Sequence, residues 1–221
     1  MRLQPFNETD GYRVWLSDDE LQSLIDEVEG PGQRVGTKLG ARAGLRREEA
    51  SLSRPVDTVQ GPGGHWLRVW ENQSKRDVYR ETPIPQRLAI EIETLADLND
   101  IDPDETVVNV TPKTLNRWVQ RAAERRHGAT GDDGWLEVSY HDLRRTWGTR
   151  LLEQGVLPTV VMSWGGWKDW ETFRKHYLGE FSPEAMKRER GKVEFLGGES
   201  VDTGDSQNHL IPVGRTLRQQ S

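Results

Sequence analysis

Apolar residues recur at intervals of three and four through most of the chain, the spacing that gives a helix one buried face. Leu21, Leu24, Ile25 and Val28 form the first such stripe. Ser17 stands just ahead of it, and Glu20 follows three residues later, the arrangement of a capping box. Gly30-Pro31-Gly32 is expected to stop this helix. A second helix is predicted over 33–43, where Gly and Thr weaken the pattern, and a short one over Glu48–Leu52 after Gly44. Further helices are predicted over Pro85–Asp97, Pro112–Arg126, His141–Gln154, Leu157–Trp164, Trp170–Tyr177 and Pro183–Arg190. The period changes to two in His65–Trp70 and, more loosely, in Val78–Ile84. Between them lies polar Glu71–Asp77, and Gly61-Pro62-Gly63-Gly64 precedes them as a turn, so a hairpin is expected. Residues 1–14 read as a lead-in, irregular over 1–12. Residues 197–221 are rich in Gly, Ser, Asp and Gln, with only Leu210–Val213 able to pack, and read as a flexible tail. The pattern predicts an α+β domain over 15–196, mainly helical, with a small antiparallel sheet near the N-terminal third.

Composition narrows the classes of function. The 221 residues can bury a real core, and nine Trp make a hydrophobic fraction of 33% compatible with a globular fold. The absence of Cys removes disulfides, thiolate metal sites and Cys nucleophiles. No apolar run approaches the ~20 residues of a membrane span, and the first residues carry no leader-like apolar core. No membrane partner is therefore expected, and the cytoplasm is the expected location. The net charge of −6 argues mildly against a nucleic-acid partner. A polyanion responds to the local field rather than to the sum, however. Basic residues cluster at Arg42, Arg46 and Arg47, at Arg117, Arg121, Arg125 and Arg126, at Arg144, Arg145 and Arg150, and at Lys187, Arg188, Arg190 and Lys192. The acids concentrate elsewhere, in Asp18–Glu20, in Glu91–Asp104 and in the last residues.

Four segments could carry chemistry. In Ser139–Leu152, His141 and Arg144 are three apart and share a helical face, opposite an apolar side of Leu143, Trp147, Leu151 and Leu152. Arg offers a planar, permanently charged fork for phosphate oxygens, and His can exchange a proton near neutral pH. Gly44-Leu45-Arg46-Arg47-Glu48-Glu49 places an Arg at a helix start, where an anion is favoured. Lys75 lies in the hairpin turn. Trp167 follows two glycines, and Tyr177 ends the helix beyond it. Taken singly, each of these also reads as a solvated face or as core packing.

Their order resembles the tyrosine recombinase (phage integrase) family. G-L-R-x-x-E, matched by Gly44 to Glu49, is the form around that family's first Arg, and H-x-L-R-x-T, matched by His141 to Thr146, is its second box. The 23 residues from Arg144 to Trp167 also fit the family, in which Trp is a variant of a more usual His. The resemblance runs from about Trp15 to Leu196. It departs in two places: the gap from Trp167 to Tyr177 is one residue longer than usual, and no separate core-binding domain is expected ahead of the first Arg.

The resemblance implies an enzyme that breaks and rejoins double-stranded DNA through a 3′-phosphotyrosine, with neither metal nor ATP and no cofactor. The implied catalytic set is Arg46, Lys75, His141, Arg144, Trp167 and the nucleophile Tyr177. Arg117, Arg121, Arg125 and Arg145 are expected to contact DNA, the first three recurring every four residues along one helical face. A homotetramer on two duplexes is the expected assembly, with Val193–Leu196 or Leu210–Val213 as the segment exchanged between protomers. Asp142 is expected to cap or orient locally. The alternative is an integrase-derived DNA-binding module that no longer cuts. An unrelated helical interaction protein is the third reading, supported by the acidity alone.

Overall fold

A computed structural model describes residues 1–6, 10–71, 79–177 and 183–196. The chain divides into one unit from Met1 to Phe181 and a second from Ser182 to Ser221.

The first unit opens with a β-hairpin rather than an irregular lead-in. Strand β1 (Arg2–Pro5) pairs antiparallel with β2 (Tyr12–Trp15), Leu3 opposite Val14. No alternation announces β1, because all four of its residues are exposed. Distant partners fix β2 instead. Val14 N–H donates to Asp142 at 3.0 Å, Leu16 N–H to Thr146 at 3.1 Å, and the Trp15 indole to Thr149 at 3.0 Å.

Helix α1 (Asp18–Asp26) begins with the expected capping box between Ser17 and Glu20 and buries Leu21, Leu24 and Ile25. Helix α2 (Pro31–Ala43) starts at the residue expected to break the chain: Gly30 has a φ of 70° outside the helix, and Pro31 opens it. Proline suits the first helical position because its missing N–H would have no partner there. The glycines that weakened the prediction are close-contact sites. A Cβ on Gly40 would lie 2.8 Å from the Tyr140 ring, whose hydroxyl donates to Gly36 O at 2.8 Å.

After α3 (Arg47–Ser51), three antiparallel strands form a sheet in the order β3 (Thr58–Gly61), β4 (Gly64–Val69) and β5 (Arg80–Ile84). The Gly61–Gly64 turn therefore joins a strand that the pattern did not predict to the expected hairpin, with Val59 opposite Trp66 and Trp66 opposite Pro83. Leu67 and Val69 of β4 and Thr82 and Ile84 of β5 are buried.

Helices α4 (Gln86–Leu98), α5 (Pro112–Thr130), α6 (Tyr140–Glu153), α7 (Pro158–Gly165) and α8 (Trp170–Tyr177) follow. Thr111 caps α5 at its start, and Gly131, in the left-handed conformation, ends it beyond the last apolar repeat. One large apolar cluster joins α1, α2, α4, α5 and the sheet. A second, smaller one collects Trp147, Leu152, Val161, Trp167 and Phe173. The second unit contains α9 (Pro183–Gly191) and a 3-10 turn over Glu194–Leu196. Among the described residues no helix is long and apolar enough to cross a membrane. The expected tail, 197–221, lies outside the described residues.

Candidate active site

The site is assembled where α2 ends. Gly44 closes that helix at a φ of 66°, and Leu45, fully buried, fixes the turn that follows. Arg46 then sits at the N-cap of α3. Glu49, one turn into α3 and 1% exposed, folds back on it: the Arg46 N–H donates to Oε2 at 2.8 Å and the guanidinium to Oε1 at 2.6 Å. Arg80 of β5 completes the ring around the carboxylate with bonds of 3.0 Å to Oε1 and 2.6 Å to Oε2. Burial alone would raise the Glu49 carboxyl. The Arg80 hydrogen bonds and the charges of Arg80, Arg144 and Arg46 outweigh it and hold the group at about 2.

Arg144 projects from α6 into this region and is fully buried. Its guanidinium donates to Gly44 O and, at 2.6 Å, to Gly165 O, and lies 4.1 Å from the centre of the Trp167 ring. Both carbonyls belong to residues that must be glycine. A Cβ on Gly44 would fall 2.3 Å from the Trp147 ring, and one on Gly165 would fall 1.8 Å from the Trp167 ring. The two indoles stack at 6.2 Å, and Phe173 of α8 lies 5.1 Å from Trp167. This aromatic layer walls the guanidinium from one side and docks the helix that ends in Tyr177.

Among the described residues, the charges of Arg46, Arg80 and Arg144 converge on the Glu49 carboxylate. Guanidinium groups gathered in this way suit a phosphate diester, whose single charge grows when a nucleophile adds. Arg46 retains 17% side-chain exposure, so the cluster reaches solvent there.

The other expected site residues are placed unevenly. His141 is exposed on the first turn of α6, whereas Arg144, one turn on, is buried. Tyr177 is the last residue of α8, four positions beyond Phe173. Lys75 lies outside the described residues. Arg117 and Arg121 are exposed on α5. Arg125 instead ties α5 to α1, donating to Glu27 O at 2.6 Å with the Glu29 carboxylate at 3.4 Å. Arg145 is 5% exposed, paired with Asp142 and set 5.5 Å from the Trp15 ring. It braces α6 against β2 in this arrangement, and an open DNA-facing surface is not where it sits. Asp142 caps α6, accepting from Ser139 N–H at 2.9 Å and from Val14 N–H at 3.0 Å.

Two members of the cluster had no assigned role in the sequence reading, Glu49 and Arg80. Glu49 is the last position of the G-L-R-x-x-E form. The signal for Arg80 is parity: it alternates with Thr82 and Ile84, both buried, on the inner face of β5.

The profile of the phage integrase family matches residues 14–182, most of the chain and the whole of this cluster. The chain belongs to the phage integrase family. The integrase of Salmonella phage P22 is 24% identical over 199 residues, which are 85% of this chain and 49% of that protein, so the chain spans about half the length of the curated relative. Two solved structures show the fold of this integrase-family chain. The XerH site-specific recombinase, in a pre-cleavage complex with its difH substrate, superposes with a TM-score of 0.61 at 17% identity, over 83% of this chain and 55% of that one. The catalytic domain of bacteriophage HP1 integrase superposes with a TM-score of 0.56 at 16% identity, over 84% of this chain and 98% of that one. The fold is that of the tyrosine recombinase catalytic domain.

Proposed function

We propose that this chain is the catalytic domain of a site-specific DNA recombinase that cuts and rejoins strands through Tyr177. The observation that supports it most is the convergence of Arg46 and Arg144 around Glu49, under the Trp167 ring that packs the Tyr177 helix. The reaction is phosphoryl transfer. The Tyr177 oxygen attacks the scissile phosphorus in line, a P–O bond to tyrosine forms, and the bond to the 5′ oxygen breaks. We assign the non-bridging oxygens to Arg46 and Arg144, whose charge is worth most at the crowded, more negative transition state. Trp167 shields the guanidinium of Arg144 from water and adds an indole N–H donor. Lys75 donates the proton that the departing 5′ oxygen needs, and His141 bonds the phosphate or manages the tyrosine proton. One phosphodiester is exchanged for one phosphotyrosine ester, so the bond energy is conserved and ATP is not required. Attack by a free 5′ hydroxyl reverses the step on a new partner strand.

The DNA partner follows from the same reading. Exposed Arg117 and Arg121 are the phosphate contacts we carry forward on α5, together with any reach of Arg125 beyond its bonds to α1. Arg145 is left out of that surface because Asp142 and the Trp15 ring engage its guanidinium in bracing α6 against β2. A homotetramer on two duplexes is the assembly we expect. The test is a duplex nicked near the attachment site, so that cleavage releases a short fragment and traps the covalent state. A denatured protein–DNA adduct that Tyr177→Phe abolishes supports the proposal. DNA binding with no adduct supports the alternative, a binding module without strand cleavage.

A further inference from the structure

We infer that Arg80 is a positioning residue that sets, from one buried side chain, both guanidinium groups assigned above to the phosphate; the inference rests on the recombinase reading. Three bonds define its place. Two of its nitrogens hold Glu49 at 3.0 and 2.6 Å, and its Nε donates to Trp164 O at 3.0 Å. The first pair acts on Arg46, because Glu49 is the residue that both caps the Arg46 backbone and holds its guanidinium. The third bond acts on Arg144, because Trp164 O belongs to the residue before Gly165, whose own carbonyl accepts from Arg144 at 2.6 Å. Segments 31 and 84 residues away in sequence are thus referenced to one side chain on β5.

The surroundings leave this side chain little freedom. Arg80 is 6% exposed, and a Cβ on Gly166 would meet its Cδ at 2.9 Å. Lysine at this position keeps the charge but has one nitrogen in place of a fork, so it cannot reproduce the Nε bond to Trp164 O together with the paired terminal bonds to Glu49. Arg80 touches no reacting atom in this scheme and acts only through Glu49 and Trp164. Burial and pairing by themselves would suit a purely structural ion pair. What singles out Arg80 is where its contacts lead: Glu49 bonds Arg46 directly, and Trp164 is joined through one peptide bond to Gly165, whose carbonyl accepts from Arg144.

The test compares wild type with Arg80→Lys and Arg80→Met on the nicked duplex, each shown folded at the assay temperature by circular dichroism. Adduct formation at saturating DNA is followed in a single turnover, and DNA affinity is measured separately by anisotropy. The expected result for Arg80→Lys is an adduct rate lower by about a hundredfold, the scale of a misplacement near 1 Å, with DNA affinity changed by less than about threefold because surface phosphate contacts are intact. An adduct rate within about threefold of wild type in Arg80→Lys overturns the inference, as does a loss that appears wholly in affinity. Where Arg80→Met does not fold, Arg80→Lys decides alone. If wild type itself forms no adduct, the recombinase reading fails, and the tether is read without catalysis from the Glu49 carboxyl by carbon NMR. The Arg80 fork holds that carboxyl well below the usual carboxylate range, and it is expected to titrate higher in both variants than in wild type. An unchanged Glu49 titration overturns the inference.

Discussion

Replacing Glu49 by Gln removes the negative charge on which the Arg46, Arg80 and Arg144 guanidinium groups act and leaves the shape almost unchanged. The carboxylate accepts four hydrogen bonds, from the Arg46 N–H and guanidinium and from two Arg80 nitrogens. Its fall from an ordinary 4.5 to about 2 corresponds to about 3 kcal/mol of folding free energy at neutral pH. A buried pair broken from one side usually costs about 3–5 kcal/mol, in line with this value. The sign is fixed by the direction of the shift. A depressed carboxyl contributes its full stability above 4.5 and loses it as pH falls toward 2. Urea unfolding of wild type and Glu49→Gln at a series of pH values is the assay. The variant is expected to be less stable by about 3 kcal/mol at pH 7, and about 2 kcal/mol of that gap should be gone by pH 3, where wild type has lost most of the benefit. A gap that stays constant from pH 7 to 3 would refute the claim that the carboxylate charge, rather than packing, holds the cluster together.

Three further outcomes follow from the same geometry. Gly165→Ala places a Cβ 1.8 Å from the Trp167 ring and should cost about 1–3 kcal/mol of stability, read by thermal unfolding, with slower adduct formation as Arg144 loses its carbonyl. Arg121→Glu, exposed on α5, should weaken DNA binding and flatten its salt dependence by about one charge in the log–log slope or more, whereas Arg145→Glu, buried against Asp142, should lower the unfolding temperature first. Thr146→Val removes the acceptor of the Leu16 N–H at 3.1 Å, and a loss of about 1–3 kcal/mol is expected in urea unfolding from the unsatisfied backbone group.

Helices such as α1 and α6 were legible because they bury a stripe, and the positions of Leu21, Leu24 and Ile25 or of Leu143 and Trp147 repeat at the helical period. Strands β1 and β3 were not. Their residues are exposed or half-buried on both sides, so no alternation marks them, and β2 is held by side chains of α6 more than a hundred positions away. Gly30-Pro31 lies beyond the end of α1, as expected, and also opens α2 two residues ahead of its predicted start, because residues that bar one helix from continuing can start the next. In the site, Arg46, Arg144 and Trp167 were read from their order along the chain, and the structure brings them together. Arg80 was passed over because an Arg in a strand ordinarily points to water, and its burial is offset by partners from elsewhere in the chain, the Glu49 carboxylate of α3 and the Trp164 carbonyl. Arg145 adjoins Arg144 in a basic run, but Asp142 and Trp15 hold it in the interior, which no spacing along the chain announces.

The most direct test of the central claim is the identity of the residue that carries DNA. The trapped adduct from a nicked duplex is digested with nuclease and trypsin, and the peptide from His176 to Lys187 is sequenced by mass spectrometry. The account predicts a nucleotide linked through its 3′ phosphate to Tyr177 and absent from the Tyr177→Phe protein. A nucleotide found on any other side chain, or a duplex bound under the same conditions with no peptide modified, would contradict it.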